Sequence, residues 1–314
     1  MRTGIFALVA GLLVLRFLQG AGSAATRVVT VSVIRDAFGG RRMAEVMSLI
    51  MMVFMIVPVI APSIGQLIML FAEWHMIFVA ICIFAAFVAT LVVTKLPETL
   101  PEDHRRPFTP ASIVDGFRIV LTNRIALFYT LAMSFIFGGL FGFINSAQQI
   151  LVGVYDLGVW FPLAFAAFAG LMAVASFTNS RLVKRYGMRP LSHAALIGFT
   201  LASLAWIMLA SVMTLPFWLF VIVYCCAMFQ FGLIGANFNA MAMEPLGRVA
   251  GTASSVLGFT QTIVGSVIGA LIGQAFDGTV RPLAAGFFTV AVIGLIFVLI
   301  AERGKLFQPH APAH

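Results

Sequence analysis

Apolar residues fill nine long stretches of the chain, separated by short polar segments. An α-helix needs about 20 apolar residues to cross the hydrocarbon core of a bilayer. Strands of a membrane barrel would instead alternate apolar and polar residues, and Ala285–Ala301 shows no such alternation. The pattern therefore predicts an all-α membrane protein, a helical bundle with about nine transmembrane helices. The predicted spans are 5–33, 45–71, 75–96, 124–149, 157–180, 190–213, 216–240, 250–275 and 282–301.

The first span has an alternative interpretation, a signal peptide with a cleavage site. Arg2, the apolar run Ile5–Leu15 and the small residues Gly22–Ala25 would suit one. However, Arg16 interrupts the stretch, and apolar sequence resumes through Val28–Ile34. This interruption favours a span that is not cleaved.

Composition supports the membrane assignment. The chain has 61% hydrophobic and 10% charged residues and a mean hydropathy of +1.07, whereas a soluble domain carries about 25% charged residues. A net charge of +8 would also suit a nucleic-acid binder. The basic residues are nevertheless split among short loops, with no continuous patch or interleaved aromatic residues, so no nucleic-acid partner is predicted. No cluster of ligands predicts a metal site.

The basic residues predict the orientation of the spans in the membrane, because cytoplasmic loops carry an excess of Lys and Arg. Only Arg2 and Arg281 lie on one side of the predicted spans. We therefore expect the other side, which includes the C-terminus, to be cytoplasmic. Its basic residues are Arg35, Arg41, Arg42, Lys95, Arg105, Arg106, Arg118, Arg181, Lys184, Arg185, Arg189, Arg248, Arg303 and Lys305.

A segment rich in Pro, Glu, Asp and Arg divides the spans into three before it and six after it. Thr109 is a suitable N-cap there, with Pro110 at the first helical position. The apolar residues that follow share one helical face, which predicts an amphipathic helix at the cytoplasmic membrane surface. The predicted organisation is an N-terminal region 1–96, a central loop 97–123, a six-helix half 124–303 and a tail 304–314.

The first span carries a polar face within an apolar helix. Residues at i, i+3, i+4 and i+7 spacings place Arg16, Gln19, Gly20, Ser23, Arg27 and Thr30 on that face. An arginine near the membrane centre costs about 2.5–3.5 kcal/mol on insertion scales, so it should face a bundle interior or a wet cavity. The alternative is that Arg16 reaches outward to the membrane surface and has no other role.

Several motifs now point to one family. The string Leu12-x-x-x-Arg16-x-x-Gln19-Gly20-x-Gly22-x-Ala24 resembles the fourth-helix motif of the drug:proton antiporters of the major facilitator superfamily. Pro58-x-x-x-Pro62-x-x-Gly65 resembles their fifth-helix antiporter motif. Asn239-Ala240-Met241-Ala242 and Ala250-Gly251-Thr252-Ala253-Ser254-Ser255 are similar to helices ten and eleven of the Bcr/CflA, or bicyclomycin-resistance, branch.

The resemblance implies a twelve-helix transporter of which this chain corresponds to helices four to twelve. It implies multidrug efflux across the bacterial inner membrane by alternating access, not an enzyme activity. The implied partners are lipophilic small-molecule drugs, protons and the lipid bilayer. The proton gradient is the energy source, no cofactor is expected, and the protein is expected to be a monomer. The alternatives are a truncated remnant that does not transport, and a true start upstream of Met1.

Four groups of residues are candidates for the implied functions. Proton coupling or the central cavity is assigned to Arg16 and Gln19, and gating through the antiporter motif to Pro58, Pro62 and Gly65. The substrate cavity is assigned to Phe141, Asn145, Gln148, Asn237, Asn239 and Gln261. A cytoplasmic gating loop is assigned to Arg181, Arg185, Gly187 and Arg189. The alternatives are an ordinary kinked helix for the prolines, lipid or helix packing for Phe141, and hydrogen bonding between helices for the amides.

Overall fold

The structure, a computed structural model, describes residues 9, 11–23, 26, 30, 33, 57, 60–61, 63–96 and 110–307. Every regular element in these ranges is a helix, and residues 11–23 and 63–71 are helical. The later helices are α1 (Met76–Lys95), α2 (Pro110–Thr122), α3 (Arg124–Gln148), α4 (Phe161–Tyr186), α5 (Met188–Val212), α6 (Phe217–Met243), α7 (Ala250–Gln274) and α8 (Arg281–Ala301). A π-helical turn, Gln149–Val154, extends α3.

Seven helices in the described ranges are long and apolar enough to cross a membrane. They coincide with the third to ninth predicted spans, so the predicted fold class is confirmed. Of the first predicted span, residues 11–23 are described and helical, and of the second, residues 63–71 are. The rest of these two spans lies mostly outside the described residues. The predicted helix that starts at Pro110 is present as α2, and its Val114 and Phe117 are exposed. The proposed cap Thr109 lies outside the described residues.

The chain divides into two compact units. One comprises Met1–Phe54 and Gly65–Pro107, and the other comprises Met55–Ile64 and Phe108–His314. The second unit contains the helices from α2 to α8. Its centre is α3, which packs against α6, α7 and α8, while α5 packs against α6 and α8, and α4 packs against α6.

Two sets of contacts define the ends of this bundle. At one end, Arg281 at the start of α8 donates from Nε to the carbonyl oxygen of Ala210 near the end of α5, at 2.6 Å. A cation there stabilises the carbonyl groups that the helix leaves without partners. At the other end, Arg189 near the start of α5 contacts Glu302 just after α8. We call these the Arg281 end and the Arg189 end.

Glycines allow α3 and α7 to approach each other closely. A Cβ at Gly269 would lie 2.5 Å from the Cβ of Phe141 and 2.9 Å from its carbonyl carbon. A Cβ at Gly138 would lie 2.5 Å from Cγ2 of Ile268. Association of helices in lipid depends on such close packing, since lipid tails are as apolar as the side chains. Glycines recur at a spacing of four on both helices, which is typical of a helix-packing face, and were not among the predicted residues. They are Gly138 and Gly142 on α3 and Gly265, Gly269 and Gly273 on α7.

An aromatic cluster fills the core between α5, α6 and α8. The rings of Trp206 and Phe287 lie 5.2 Å apart, and those of Phe220 and Tyr224 lie 5.7 Å apart. All four side chains are fully buried. Each such pair contributes about 0.5–1.5 kcal/mol beyond the area that it buries.

We expect Gly269→Ala to destabilise the bundle by about 1–3 kcal/mol, because the new methyl group meets backbone atoms of α3 that cannot move independently. Gly258→Ala is the matched control, since it lies on the same helix and no atom lies within 4 Å of its added Cβ. Thermal unfolding of the detergent-solubilised protein measures both variants. Equal melting temperatures for the two variants would contradict the close approach of α3 and α7.

Candidate functional site

Arg189 is a buried cation that joins three helix ends. Gly187, with a φ of 82°, separates α4 from α5, and this left-handed conformation favours glycine. Two residues later, the Arg189 side chain is only 7% exposed. Its Nε donates to Oε1 of Glu302 at 2.9 Å. Its Nη2 lies 3.6 Å from Oε2 of Glu244, which follows α6.

Two further side chains extend this contact. The Tyr129 hydroxyl donates to Oε1 of Glu302 at 2.7 Å and lies 2.8 Å from Nε2 of His193. The backbone N–H of Phe307 donates to Nδ1 of His193 at 3.1 Å. Because Nδ1 accepts, these bonds fit a neutral imidazole that carries its proton on Nε2 and donates it to Tyr129. We call Tyr129, Arg189, His193 and Glu302 the polar clasp.

Glu302 is the acid of the polar clasp. Burial alone would raise the pKa of its carboxyl group. The hydrogen bonds from Tyr129 and Arg189, together with the charge of Arg189, outweigh burial and lower the pKa below its ordinary value. Glu302 is therefore ionised at neutral pH and balances the buried guanidinium group.

The other basic residues of the predicted gating loop do not enter the bundle. Arg181 and Arg185 are exposed, and their guanidinium carbons lie 5.2 and 5.3 Å from the rings of Phe177 and Tyr186 on the same helix. Exposed cation–π contacts of this kind contribute about 0.5–1 kcal/mol. Of the four predicted loop residues, the structure brings only Arg189 into contact with acidic groups of other helices.

Three of the predicted cavity residues form hydrogen bonds between helices. Asn237 is 3% exposed, and its Nδ2 donates to Oδ1 of Asn179 on α4 at 2.7 Å. Nε2 of Gln261 on α7 donates to Oδ1 of Asn239 on α6, also at 2.7 Å. These contacts satisfy amide groups that would otherwise lack partners in hydrocarbon. They do not test whether the residues also contact a substrate, which stays a prediction.

A pocket of about 470 Å³ opens at the Arg281 end between α3 and α7. Asn145 lines it, whereas Gln148 is exposed and does not. Phe141 packs against the glycine face of α7. The described lining residues are Asn145, Gln149, Ala270, Gly273, Gln274 and Phe276.

Among the predicted residues of the first unit, Arg16 and Gln19 are exposed and Gly65 is half-buried. Nη1 of Arg16 donates to Oε1 of Gln19 at 2.8 Å, and its guanidinium carbon lies 5.8 Å from the ring of Phe78. A Cβ added to Gly65 would meet Cδ1 of Ile77 at 3.9 Å, an ordinary contact distance. The predicted gating residues Pro58 and Pro62 lie outside the described residues. The roles of all five stay predictions.

Tyr129, His193, Glu302 and Asn179 are candidate functional residues that the sequence analysis did not single out. Tyr129 and His193 each lie five residues after the first residue of an apolar span. Glu302 directly follows the last span. The charge pattern assigns these span ends to the same side of the membrane. Polar residues near them could therefore have been predicted to lie close together.

The comparisons with known proteins now identify the class. Residues 3–270 match the family model of the Major Facilitator Superfamily. The bicyclomycin resistance protein homolog of Haemophilus influenzae is 34% identical over 91% of this chain and 71% of that protein. The uncharacterized MFS-type transporter YdgK of Bacillus subtilis is 30% identical, over 92% and 72% respectively. The multidrug resistance protein MdtL of Klebsiella pneumoniae is 29% identical, over 94% and 74%.

A model match over most of the chain and relatives at this identity show the family. This chain belongs to the major facilitator superfamily of membrane transporters and is a multi-pass membrane protein. The family predicted from the sequence motifs is therefore confirmed.

We expect Glu302→Gln to destabilise the protein by about 3 kcal/mol at pH 7, because it leaves Arg189 buried with only the longer contact to Glu244. Folding lowers the pKa of Glu302. Its ionised carboxylate therefore contributes fully to the free energy of unfolding at any pH above its pKa in the unfolded chain, which is about 4.3. The difference in stability between wild type and Glu302→Gln should shrink as the pH falls below that pKa. It should vanish below the pKa of Glu302 in the folded protein.

Thermal unfolding between pH 7 and pH 3.5 measures this difference. Glu73→Gln is the control, because this acid is 79% exposed and its contact with His75 contributes little. If Glu302→Gln and Glu73→Gln melt alike at pH 7, the polar clasp does not stabilise the bundle.

Proposed function

We propose that this chain takes part in the export of lipophilic small molecules across the bacterial inner membrane, by alternating access coupled to proton entry. In this proposal the C-terminus and the Arg189 end face the cytoplasm. The observation that carries the proposal is the likeness over more than 90% of the chain to proteins named for bicyclomycin or multidrug resistance.

The positions of the polar and charged side chains in the bundle support the proposal that weakly polar compounds are transported. The described residues that line the Arg281-end pocket contribute amide groups and apolar atoms, and none of them is charged. Such a lining suits neutral drugs and lipophilic cations, which need few precisely placed polar contacts. Charged residues are instead concentrated at the Arg189 end, where Arg189 pairs with Glu302 and Glu244.

Arg16 is the proposed centre of proton coupling. It is a permanent cation on the polar face of the first predicted span. The hydrogen bond that it donates to Gln19 uses one of its five donor hydrogens. A fixed positive charge there would favour the deprotonated form of a neighbouring acid and would repel an entering proton. Both effects would make proton binding at such an acid depend on its distance from Arg16.

We expect cells that express this chain to accumulate less of a fluorescent lipophilic cation than cells with an empty vector, and an uncoupler to abolish the difference. Arg16→Ala should raise accumulation to the empty-vector level, because the fixed charge is lost. Arg16→Lys should restore part of the export, since it keeps the charge but not the planar donors.

Arg118→Gln serves as the control, since it removes an exposed cation from α2, outside the proposed cavity. The amount of each variant in isolated membranes separates loss of export from loss of insertion. Accumulation that does not differ between wild type and empty vector would refute export by this chain. Normal export by Arg16→Ala would refute the coupling role alone.

A further inference from the structure

A second pocket, of about 250 Å³, lies at the Arg189 end of the bundle. It is formed where α3 and α5 begin and where α8 ends. Its lining residues are Arg124, Ile125, Arg189, Ala301, Glu302, Arg303 and Lys305. Four cations and one acid therefore share a small space.

Glu302, the one acid among these lining residues, already has two hydrogen-bond donors. Glu302 accepts from both Arg189 and Tyr129 through the same oxygen. Within the described part of the chain, no ion pair joins Arg124, Arg303 or Lys305 to an acidic side chain. The charge of Glu302 is balanced by Arg189, so the other three cations give the pocket an excess of positive charge.

Arg124 supplies a buried donor that has no hydrogen-bond partner in the described part of the chain. Its Nε is buried, and no acceptor in the described residues receives its hydrogen. Buried donors without partners are rare, since their loss of hydration is not compensated. An acceptor that enters the pocket would satisfy this group.

The backbone holds Arg303 in a conformation that favours glycine. α8 ends in a Schellman motif, in which Gly304 N–H donates to the Leu299 carbonyl and Arg303 N–H to the Ile300 carbonyl. Arg303 occupies the left-handed position, with a φ of 53°. An arginine there is less favourable than glycine for the helix end alone, yet its side chain lines the pocket.

We propose that this pocket binds the phosphate group of an anionic ligand. Arginine guanidinium groups match phosphate oxygens in a bidentate geometry, and several cations together balance its charge. Arg124 is the first residue of one apolar span, and Arg303 lies two residues beyond the end of another. That level corresponds to the headgroups of a bilayer, where basic pockets between helices bind lipid phosphates. The phosphate belongs either to an anionic phospholipid or to a soluble phosphate compound.

The test uses the full chain, purified in a neutral detergent and stripped of lipid. Phosphatidylglycerol, phosphatidylcholine and inorganic phosphate are added separately, and binding is followed by native mass spectrometry and by the melting temperature. We expect phosphatidylglycerol to bind and raise the melting temperature, and phosphatidylcholine to bind at least tenfold more weakly. A comparable effect of inorganic phosphate would assign the site to soluble phosphates instead.

Two variants separate binding from folding. Arg303→Gly should melt no lower than wild type without ligand, because glycine suits the left-handed position, and should bind about tenfold more weakly. Arg124→Gln should show the same weakening. Lys95→Gln removes an exposed cation outside the pocket and should bind like wild type.

Binding of phosphatidylglycerol that is equal in wild type, Arg303→Gly and Arg124→Gln would overturn the proposal. Absence of binding by both phosphatidylglycerol and inorganic phosphate would overturn it as well.

Discussion

The buried charge of Arg189 constrains the whole Arg189 end of the bundle. A guanidinium group that has left water needs an ionised partner and further hydrogen bonds, because desolvation of an unpaired ion is costly. Glu302 supplies the negative charge, and Tyr129 fills another of its acceptor positions. The starts of α3 and α5 and the end of α8 must therefore meet at one place. This requirement sets how these three helices pack along their remaining length.

The Arg281 end is held by a different contact. There the exposed cation Arg281 donates hydrogen bonds to backbone carbonyl oxygens at the end of α5. Between the two ends, the glycine face of α3 and α7 and the aromatic cluster around Trp206 provide the packing. Polar contacts thus fix the ends of the helices, and close apolar contacts fix their middle.

The sequence predicted the helices well and their contacts poorly, for a physical reason. Each span is a local property, since a helix in lipid must satisfy its own backbone and cover itself with apolar side chains. The clasp is not local, because Tyr129 and Glu302 are 173 positions apart. Charge placement identified Arg189 as one of several loop cations. It could not show that Arg181 and Arg185 stay exposed while Arg189 is buried, because that difference depends on which acids lie opposite.

The amide pairs and the polar clasp differ in how readily they can break. Hydrogen bonds between membrane helices contribute on average about 0.6 kcal/mol, because a separated amide finds other partners. Gln261 and Asn239 can therefore separate and re-form with little change in free energy, and they connect α7 to α6. Separation of Arg189 from Glu302 would leave Arg189 with only its longer contact to Glu244, and Glu302 with only the hydroxyl group of Tyr129. Breaking of the Gln261–Asn239 pair is thus far less costly than opening of the Arg189 end.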